Sequence, residues 1–189
     1  MQSYETRPPD VVKSVRQRWL LSQWTRLRGG RALPLWSDLD MDELDSCFDD
    51  LSILDVLGDN GTFRFRIHDH GKNVGAMYRG QCAGKYLEET LPVAAIGYTL
   101  ETYEHAARTR LPVYTASRVL DALGKPVLYE RLLLPFSDFG ERVFRVIAFL
   151  ETISIEGAFQ RHDLMTGPQT AGGFTLKAVL QTRASVTSA

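Results

Sequence analysis

The run from Val143 to Ile153 consists almost entirely of β-branched, aromatic and aliphatic residues and contains no glycine or proline. It is too short to cross a membrane as a helix, which takes roughly 20 apolar residues. As a strand it carries apolar side chains on both faces, which is typical of a strand that is covered on both sides. One face holds Val143, Ile147 and Phe149, and the other holds Phe144, Val146, Ala148 and Leu150. The run therefore predicts an interior strand, and other parts of the chain are expected to cover its two faces.

Four further runs predict strands around this one. Val127–Phe136 precedes it across a glycine-containing turn, and the pair is typical of a β-hairpin. Pro112–Leu120 lies one turn earlier. Leu51–Leu57 and Thr62–His68 flank an Asn-Gly turn, a strong hairpin signal. In Thr62–His68 apolar and polar residues alternate, which indicates an edge strand with one wet face.

Helices are predicted before, between and within these strands. Asp10–Arg28 has a helical apolar stripe, an Asp10 cap and a Gly29-Gly30 end, and Val93–Arg110 is the longest internal helix. Shorter helices are predicted at 40–48, 74–78 and 86–91. The order of elements predicts an α+β domain: a five-stranded antiparallel sheet with helices on one face and an N-terminal helix that covers the other face or dimerises.

The N-terminal helix has two possible surroundings. Its arginines and tryptophans are compatible with a membrane surface. Packing on the domain or on a partner subunit is favoured, because nothing else in the sequence covers the second face of the sheet. The candidates for dimer contacts are Val15, Trp19, Leu20, Trp24 and Leu27.

Composition narrows the class of protein. The chain has 189 residues, 44% of them hydrophobic, and a formal net charge of −1, which disfavours nucleic-acid binding through overall charge. Cys47 and Cys82 have no Cys-x-x-Cys spacing, so a reducing cytoplasm is the expected location. There is no signal-peptide pattern and no 18-residue apolar run. We expect an N-terminal helix and linker at 1–36, a core at 37–155 and a weakly ordered tail at 156–189, with a linker at 166–173.

Several segments together resemble the PAS fold, and in particular the PAS-like domains common in alphaproteobacteria. They are Trp24–Pro34, Leu51–Val56 with Phe63–Arg66, Gly80–Gly84 with Tyr86–Glu89, and Leu132–Pro135. The resemblance covers about residues 20 to 153 and rests on the order and spacing of these segments.

The resemblance implies a sensory or regulatory module that holds a small ligand between sheet and helices, or dimerises, or both. No kinase, cyclase or helix-turn-helix follows in this sequence, so the output is expected to be a regulatory protein partner or a change in dimer packing. The alternative is a small-molecule-binding protein or enzyme on a related α+β fold, with Tyr103, His105 or Arg131 in its pocket.

Cofactor and catalytic chemistry have little support in the sequence. Flavin photochemistry in this fold takes a cysteine with neighbours that Cys82 lacks, and haem would take a histidine such as His105 on the long helix. Both are disfavoured, and no cofactor is the simplest expectation. His68-Asp-His70 is a weak metal pattern without a third contributor. Motifs of common hydrolases and nucleotide-binding enzymes are absent, so we assign no catalytic residue, no metal site and no enzyme activity.

A ligand pocket is expected between the inner face of the sheet and Val93–Arg110. The polar candidates are Arg66, Tyr78, Tyr98, Tyr103, His105, Tyr129 and Arg131. Arginine can bind a carboxylate through two hydrogen bonds. The competing hypothesis, favoured on sequence alone, places the arginines on the outer face beside the N-terminal helix.

Overall fold

A single seven-stranded sheet organises the protein in a computed structural model, which describes residues 3–58, 62–78, 80–162, 164–165 and 174–182. The strands are β1 Glu5–Arg7, β2 Leu51–Leu57, β3 Arg64–His70, β4 Val113–Leu120, β5 Pro126–Ser137, β6 Val143–Ser154 and β7 Phe174–Leu180. The α-helices are α1 Val15–Arg28, α2 Lys72–Met77, α3 Leu87–Thr90 and α4 Val93–Thr109. Four 3₁₀ turns span Pro9–Val11, Trp36–Asp38, Asp42–Leu44 and Phe48–Asp50. The strand order is β1-β7-β4-β5-β6-β2-β3.

The prediction of five antiparallel strands is wrong in number and in kind. All five predicted strands form, but β7 adds to the free edge of β4, and β1 pairs with β7 in parallel. The sequence pattern did not predict these two strands, because β1 is only three residues long and β7 lies in the segment predicted to be weakly ordered. In β7, Ala178, Val179 and Leu180 are buried, so that part of the tail prediction is corrected. The linker 166–173 and the hairpin tip 59–61 lie outside the described residues.

The run that anchors the sequence analysis becomes β6, an interior strand between β5 and β2. Val146, Ile147, Ala148 and Phe149 are fully buried, which confirms that both faces are covered. β3 lies at the edge of the sheet and alternates buried and exposed residues between Arg64 and Ile67, as predicted. The inner face packs against α4, with α2 and α3 beside it.

Helix α1 covers the outer face. It begins at Val15 rather than at Asp10, because Ser14 is the N-cap and accepts a hydrogen bond from the N–H of Gln17. Its buried stripe docks on the chain's own sheet: the indole of Trp24 donates to the carbonyl of Pro135 at 2.7 Å. The Gln17 side chain donates to the carbonyl of Phe149 at 3.1 Å.

A network of ion pairs and hydrogen bonds connects the start of α1 to the sheet and to α2. Arg16 binds Asp50 and Glu151, each at 2.7 Å. Ser14 donates a hydrogen bond to Glu151 on β6, and Asn73 of α2 donates to Asp50. The position of α1 is thereby tied to that of α2.

The inner-face helices agree with the predicted ones to within about two residues at each end. Helix α4 ends at Thr109, and its C-cap Arg110 adopts a positive φ of 58°. The acidic helix predicted at 40–48 is instead the 3₁₀ turn Asp42–Leu44 followed by other turns. Among the described residues, no helix is both long and apolar enough to cross a membrane.

Replacing Gly71 by alanine should destabilise the protein by about 1–3 kcal/mol, measured by urea unfolding. A Cβ at this position would lie 2.0 Å from the carbonyl oxygen of Phe48 and 2.4 Å from the Cα of Asp49, and backbone atoms cannot yield as a flexible side chain does. Gly30→Ala is the control, since no atom lies within 4 Å of its added Cβ. A Gly71→Ala protein as stable as the control would contradict the packing described here.

The two tryptophans of α1 should differ sharply in their effect on stability. Trp24 is 1% exposed and hydrogen-bonded to the sheet, so Trp24→Ala should lower the free energy of unfolding by about 3–5 kcal/mol. Trp19 is 36% exposed, and Trp19→Ala should cost about 1 kcal/mol or less. Equal losses from the two substitutions, measured by denaturant unfolding, would mean that α1 does not dock as described.

Candidate functional site

A buried arginine lies at the centre of the inner face. Arg131 of β5 is 2% exposed, and its guanidinium carbon lies 5.5 Å from the ring centre of Tyr103 on α4. Its Nε and Nη2 donate to the hydroxyl of Tyr129 at 3.3 and 3.1 Å. The hypothesis that the arginines lie on the outer face is therefore wrong for Arg131: alternation along β5 directs it and Tyr129 toward α4.

Arg131 has no anionic partner in the described part of the chain. Among the described residues no carboxylate lies within ion-pairing distance of Arg131, and its Nη1 is buried there without a hydrogen-bond acceptor. A buried, uncompensated charge costs several kcal/mol in proteins. Burial opposes the charge, but Tyr129, Tyr103 and Tyr78 favour it by more, and the pKa of Arg131 stays above its ordinary value. The inner face therefore holds a positive charge with an unused donor.

Three further tyrosines approach this charge. Burial, followed by the proximity of Tyr129, raises the pKa of Tyr78 well above its ordinary value. Burial likewise raises the pKa of Tyr103 and of Tyr98. The hydroxyls of Tyr78 and Tyr103 stay protonated at neutral pH and can donate hydrogen bonds to an acceptor beside Arg131. We call Tyr78, Tyr103, Tyr129 and Arg131 the arginine–tyrosine cluster.

A small cavity adjoins the cluster. It measures about 10 Å³, which is room for about one water molecule, and Tyr78 and Tyr103 are in its wall. Its apolar lining comes from Ile67, Val74, Leu87 and Leu150. A surface cleft of about 300 Å³ lies outside it, and the two share Tyr78, Cys82 and Thr90. The inner face is thus nearly closed, and the shared residues Tyr78, Cys82 and Thr90 form a thin wall between the cavity and the surface cleft.

Comparison with known proteins identifies the family. The family model described as PAS domain matches residues 12–150, most of the chain.

The chain belongs to the PAS domain family.

No curated protein and no solved structure gave a match. The resemblance to PAS-like domains inferred from the sequence is confirmed at the level of the family. The matched segment begins just before α1 and runs into β6, so it includes the whole arginine–tyrosine cluster. Strands β1 and β7 lie outside it and extend the PAS sheet beyond the edge of β4.

Arg66 does not join the cluster. Phe65 lies 5.4 Å from Tyr103, ring centre to ring centre, so the neighbouring Arg66 points to the opposite face. There Arg66 binds Asp55 at 3.1 Å, and Asp55 also binds Arg145 at 3.0 Å. Burial acts to raise the pKa of Asp55, but hydrogen bonds from Arg145 and Arg66 lower it below its ordinary value. These residues form a satisfied ionic group on the outer side of the PAS sheet.

His105 and Tyr98 lie toward the added strand of the PAS sheet. The ring of His105 stacks on Tyr4, with centres 3.7 Å apart and planes 3° apart. Lys177 of β7 lies 4.1 Å from the centre of the Tyr4 ring and binds Glu101 at 2.7 Å. Tyr98 meets Phe174 edge to face at 5.4 Å. Sequence reasoning missed Tyr4 and Lys177; the one available signal is a lone lysine inside the apolar run of β7.

The cysteines and histidines show no activated chemistry. Burial raises the pKa of Cys82, and it raises that of Cys47 to about 11, so neither thiol is a ready nucleophile. His70 accepts a hydrogen bond from the N–H of Cys82, and His68 lies 3.4 Å from Asp55. In the regions that the structure describes, no three His, Cys, Asp or Glu side chains are grouped to hold a metal ion.

Arg131→Met should leave the free energy of unfolding unchanged or raise it by up to about 4 kcal/mol, because an apolar side chain replaces an unpaired buried charge. The measurement is denaturant unfolding of protein refolded without small molecules. Arg145→Met is the matched control and should lose about 1–3 kcal/mol, since it deprives buried Asp55 of a partner. A clear loss of stability in Arg131→Met would show that the guanidinium is a structural group.

Stability should fall on mild acidification through His105. Burial and the nearby Lys177 lower the pKa of His105 below its ordinary 6.5. Between the lowered pKa and 6.5 the unfolded chain binds more protons, so this contribution is complete above pH 6.5 and decreases as the pH drops.

His105→Phe keeps an aromatic ring on Tyr4 and removes this titration. The slope of unfolding free energy against pH between about 5 and 7 should therefore be shallower in the variant. Parallel slopes in the two proteins would assign the pH dependence to other groups.

Proposed function

We propose that the protein is a sensory or regulatory PAS module that binds a small ligand between its sheet and α4 and signals through contact with a partner. The family match supports the regulatory class. The observation that carries the ligand proposal is Arg131, a charged side chain that is 2% exposed and lacks a counter-ion in the described part of the chain. An unpaired buried charge lowers the stability of the folded protein, and an anionic ligand that pairs with it would offset that loss.

A route from the ligand to the outer face runs through α2. Tyr78, in the wall of the cavity, directly follows α2, and Asn73 within α2 donates a hydrogen bond to Asp50. Asp50 binds Arg16 of α1 at 2.7 Å. A ligand that displaces Tyr78 would act on α2, and the Asp50–Arg16 contact would pass that bias to α1. The ligand shifts this equilibrium only by the difference in its affinity for the two positions.

The exposed part of α1 is the surface proposed for partner contact. Leu20 and Trp24 are buried in the chain's own core, so a partner meets the outward side of α1 instead. Val15 is 70% exposed and Trp19 is 36% exposed, and both line a surface groove of about 290 Å³. Leu27 is half-buried at the margin. A second copy of the chain is the favoured partner, and a separate regulatory protein is the alternative.

Native mass spectrometry of freshly purified protein tests the ligand proposal. Excess mass that disappears in the denatured spectrum is the expected result. Protein that carries no excess mass, and whose unfolding temperature no small molecule in a metabolite screen raises, would contradict ligand sensing.

Light scattering tests the surface on α1. We expect a dimer that Val15→Glu/Trp19→Glu converts to a monomer, because two charges would be buried at the contact. Val93→Glu is the control, since Val93 is 88% exposed on α4 at the opposite face of the sheet. A wild-type monomer would contradict the homodimer, and a dimer unaffected by the double substitution would place the contact elsewhere.

A further inference from the structure

We infer that the ligand of the arginine–tyrosine cluster is a monocarboxylate with a small apolar body, whose carboxylate pairs with Arg131. This inference rests on the proposed ligand-binding function and specifies the chemistry of the same site. Four features carry it: the charge surplus at the site, its unused hydrogen-bond donors, its apolar lining and the thin wall of its cavity.

The surplus charge on this part of the inner face is a single positive charge. The register places Arg131 opposite Thr115 and Thr115 opposite Lys177, so both cations project toward the same face. Lys177 is neutralised by Glu101 at 2.7 Å, whereas Arg131 has no carboxylate partner among the described residues. A monoanion therefore balances the site. A dianion such as hydrogen phosphate would leave an uncompensated negative charge inside the protein, which is as costly as the positive one.

The unused donors suit a carboxylate. The Nη1 of Arg131 is buried without an acceptor, while Nε and Nη2 share the hydroxyl oxygen of Tyr129. A guanidinium presents its donors in a planar fork that matches the two oxygens of a carboxylate. Tyr129 accepts from Arg131 and its hydroxyl is also hydrogen-bonded to that of Tyr78, so one phenolic O–H of this pair remains to donate. A neutral amide would offer one good acceptor and no charge to compensate the arginine.

The remaining lining combines apolar side chains with the smaller polar groups of Ser52, Cys82 and Thr90 and the ring of His70. Ile67, Val74, Leu87 and Leu150 lie around the cavity, and Leu150 is the direct cross-strand neighbour of Arg131 on β6. Pockets of this kind hold the body of a ligand with apolar side chains and orient it with a few polar ones. The fitting ligand has an aliphatic or aromatic group next to its carboxylate.

The wall that must move is defined by the residues shared between the cavity and the surface cleft. A cavity of about 10 Å³ holds a water but not a benzoate, so binding requires displacement of Tyr78, Cys82 or Thr90 toward the cleft of about 300 Å³. Tyr78 is the residue that directly follows α2. Occupation of the site and the position of α2 are therefore linked by geometry.

The test compares four monocarboxylates (acetate, butyrate, benzoate and phenylacetate), each with its uncharged amide, and inorganic phosphate. Thermal unfolding is followed for the refolded, ligand-free full-length chain. At about ten times its Kd, a carboxylate of the series should raise Tm by about 3–6 °C. Its amide should give no shift, and neither should phosphate at a pH of about 8, where it is present mainly as the dianion. No stabilisation by any of the four carboxylates overturns the inference, as does an equal effect of a carboxylate and its amide.

Variants locate the effect. Arg131→Met should weaken binding of the active carboxylate by about tenfold or more in calorimetric titration, since a charge-assisted hydrogen-bonded pair is lost. Arg131→Lys, which keeps the charge but not the fork, should lie between the wild type and Arg131→Met. Arg66→Met, which removes an arginine from the opposite face, should bind as the wild type does. Equal affinity in Arg131→Met and wild type overturns the inference.

The outcome separates this inference from the proposed function. A native mass spectrum with a neutral or dianionic molecule bound would overturn the monocarboxylate and leave ligand sensing supported. Carboxylate binding that leaves the contacts of α1 unchanged, measured as an unaltered oligomeric state and unaltered intrinsic tryptophan fluorescence, would support the ligand class and contradict signalling through α1.

Discussion

Burial of β6 on both faces is the constraint on which the rest of the structure depends. A strand with apolar side chains on both faces needs a layer on each side of the sheet. The two layers here come from separate parts of the matched region, α1 at its start and α4 beyond its midpoint. Helix α1 supplies the outer layer through Trp24, and α4 supplies the inner layer through Tyr103. The outer layer is not anchored by apolar contact alone, because Gln17 and Trp24 donate hydrogen bonds to sheet carbonyls and thereby fix the position of α1.

The inner layer contains one group that apolar packing does not explain, the charged side chain of Arg131. A methionine would fill much of the same space without a desolvation penalty, and the hydroxyl of Tyr129 accepts from only part of the guanidinium. Sites that retain such a cost in an otherwise well-packed core are where function is expected, because stability and activity compete for the same residues. Because the cavity beside the arginine–tyrosine cluster holds only about 10 Å³, binding of the proposed ligand would require a conformational change. That coupling is what a sensory module needs.

Much of this organisation could be predicted from the sequence. The strong patterns were the doubly apolar β6, the alternating β3 and the long α4, and each formed within about two residues of its predicted bounds. The weak patterns failed for identifiable reasons. β7 contains a lysine and follows a glycine-rich segment, so its sequence does not predict a buried strand. Lys177 can be buried because it forms an ion pair with Glu101, and that contact is seen only in the tertiary structure. The predicted start of α1 was too early. Asp10 and Ser14 are equally good N-cap residues on sequence alone, and packing of the helix on the sheet selects Ser14.

By itself, the sequence determined the fold class, the order of the elements and the family, because these follow from local periodicity, turn chemistry and the spacing of apolar runs. It also narrowed the candidates for the site to a handful of tyrosines and arginines. Only the tertiary structure decided which of them meet. Alternation places residues on two faces but does not say which face meets which helix, so Arg131 and Arg66 were equivalent until α4 covered one and Asp55 neutralised the other.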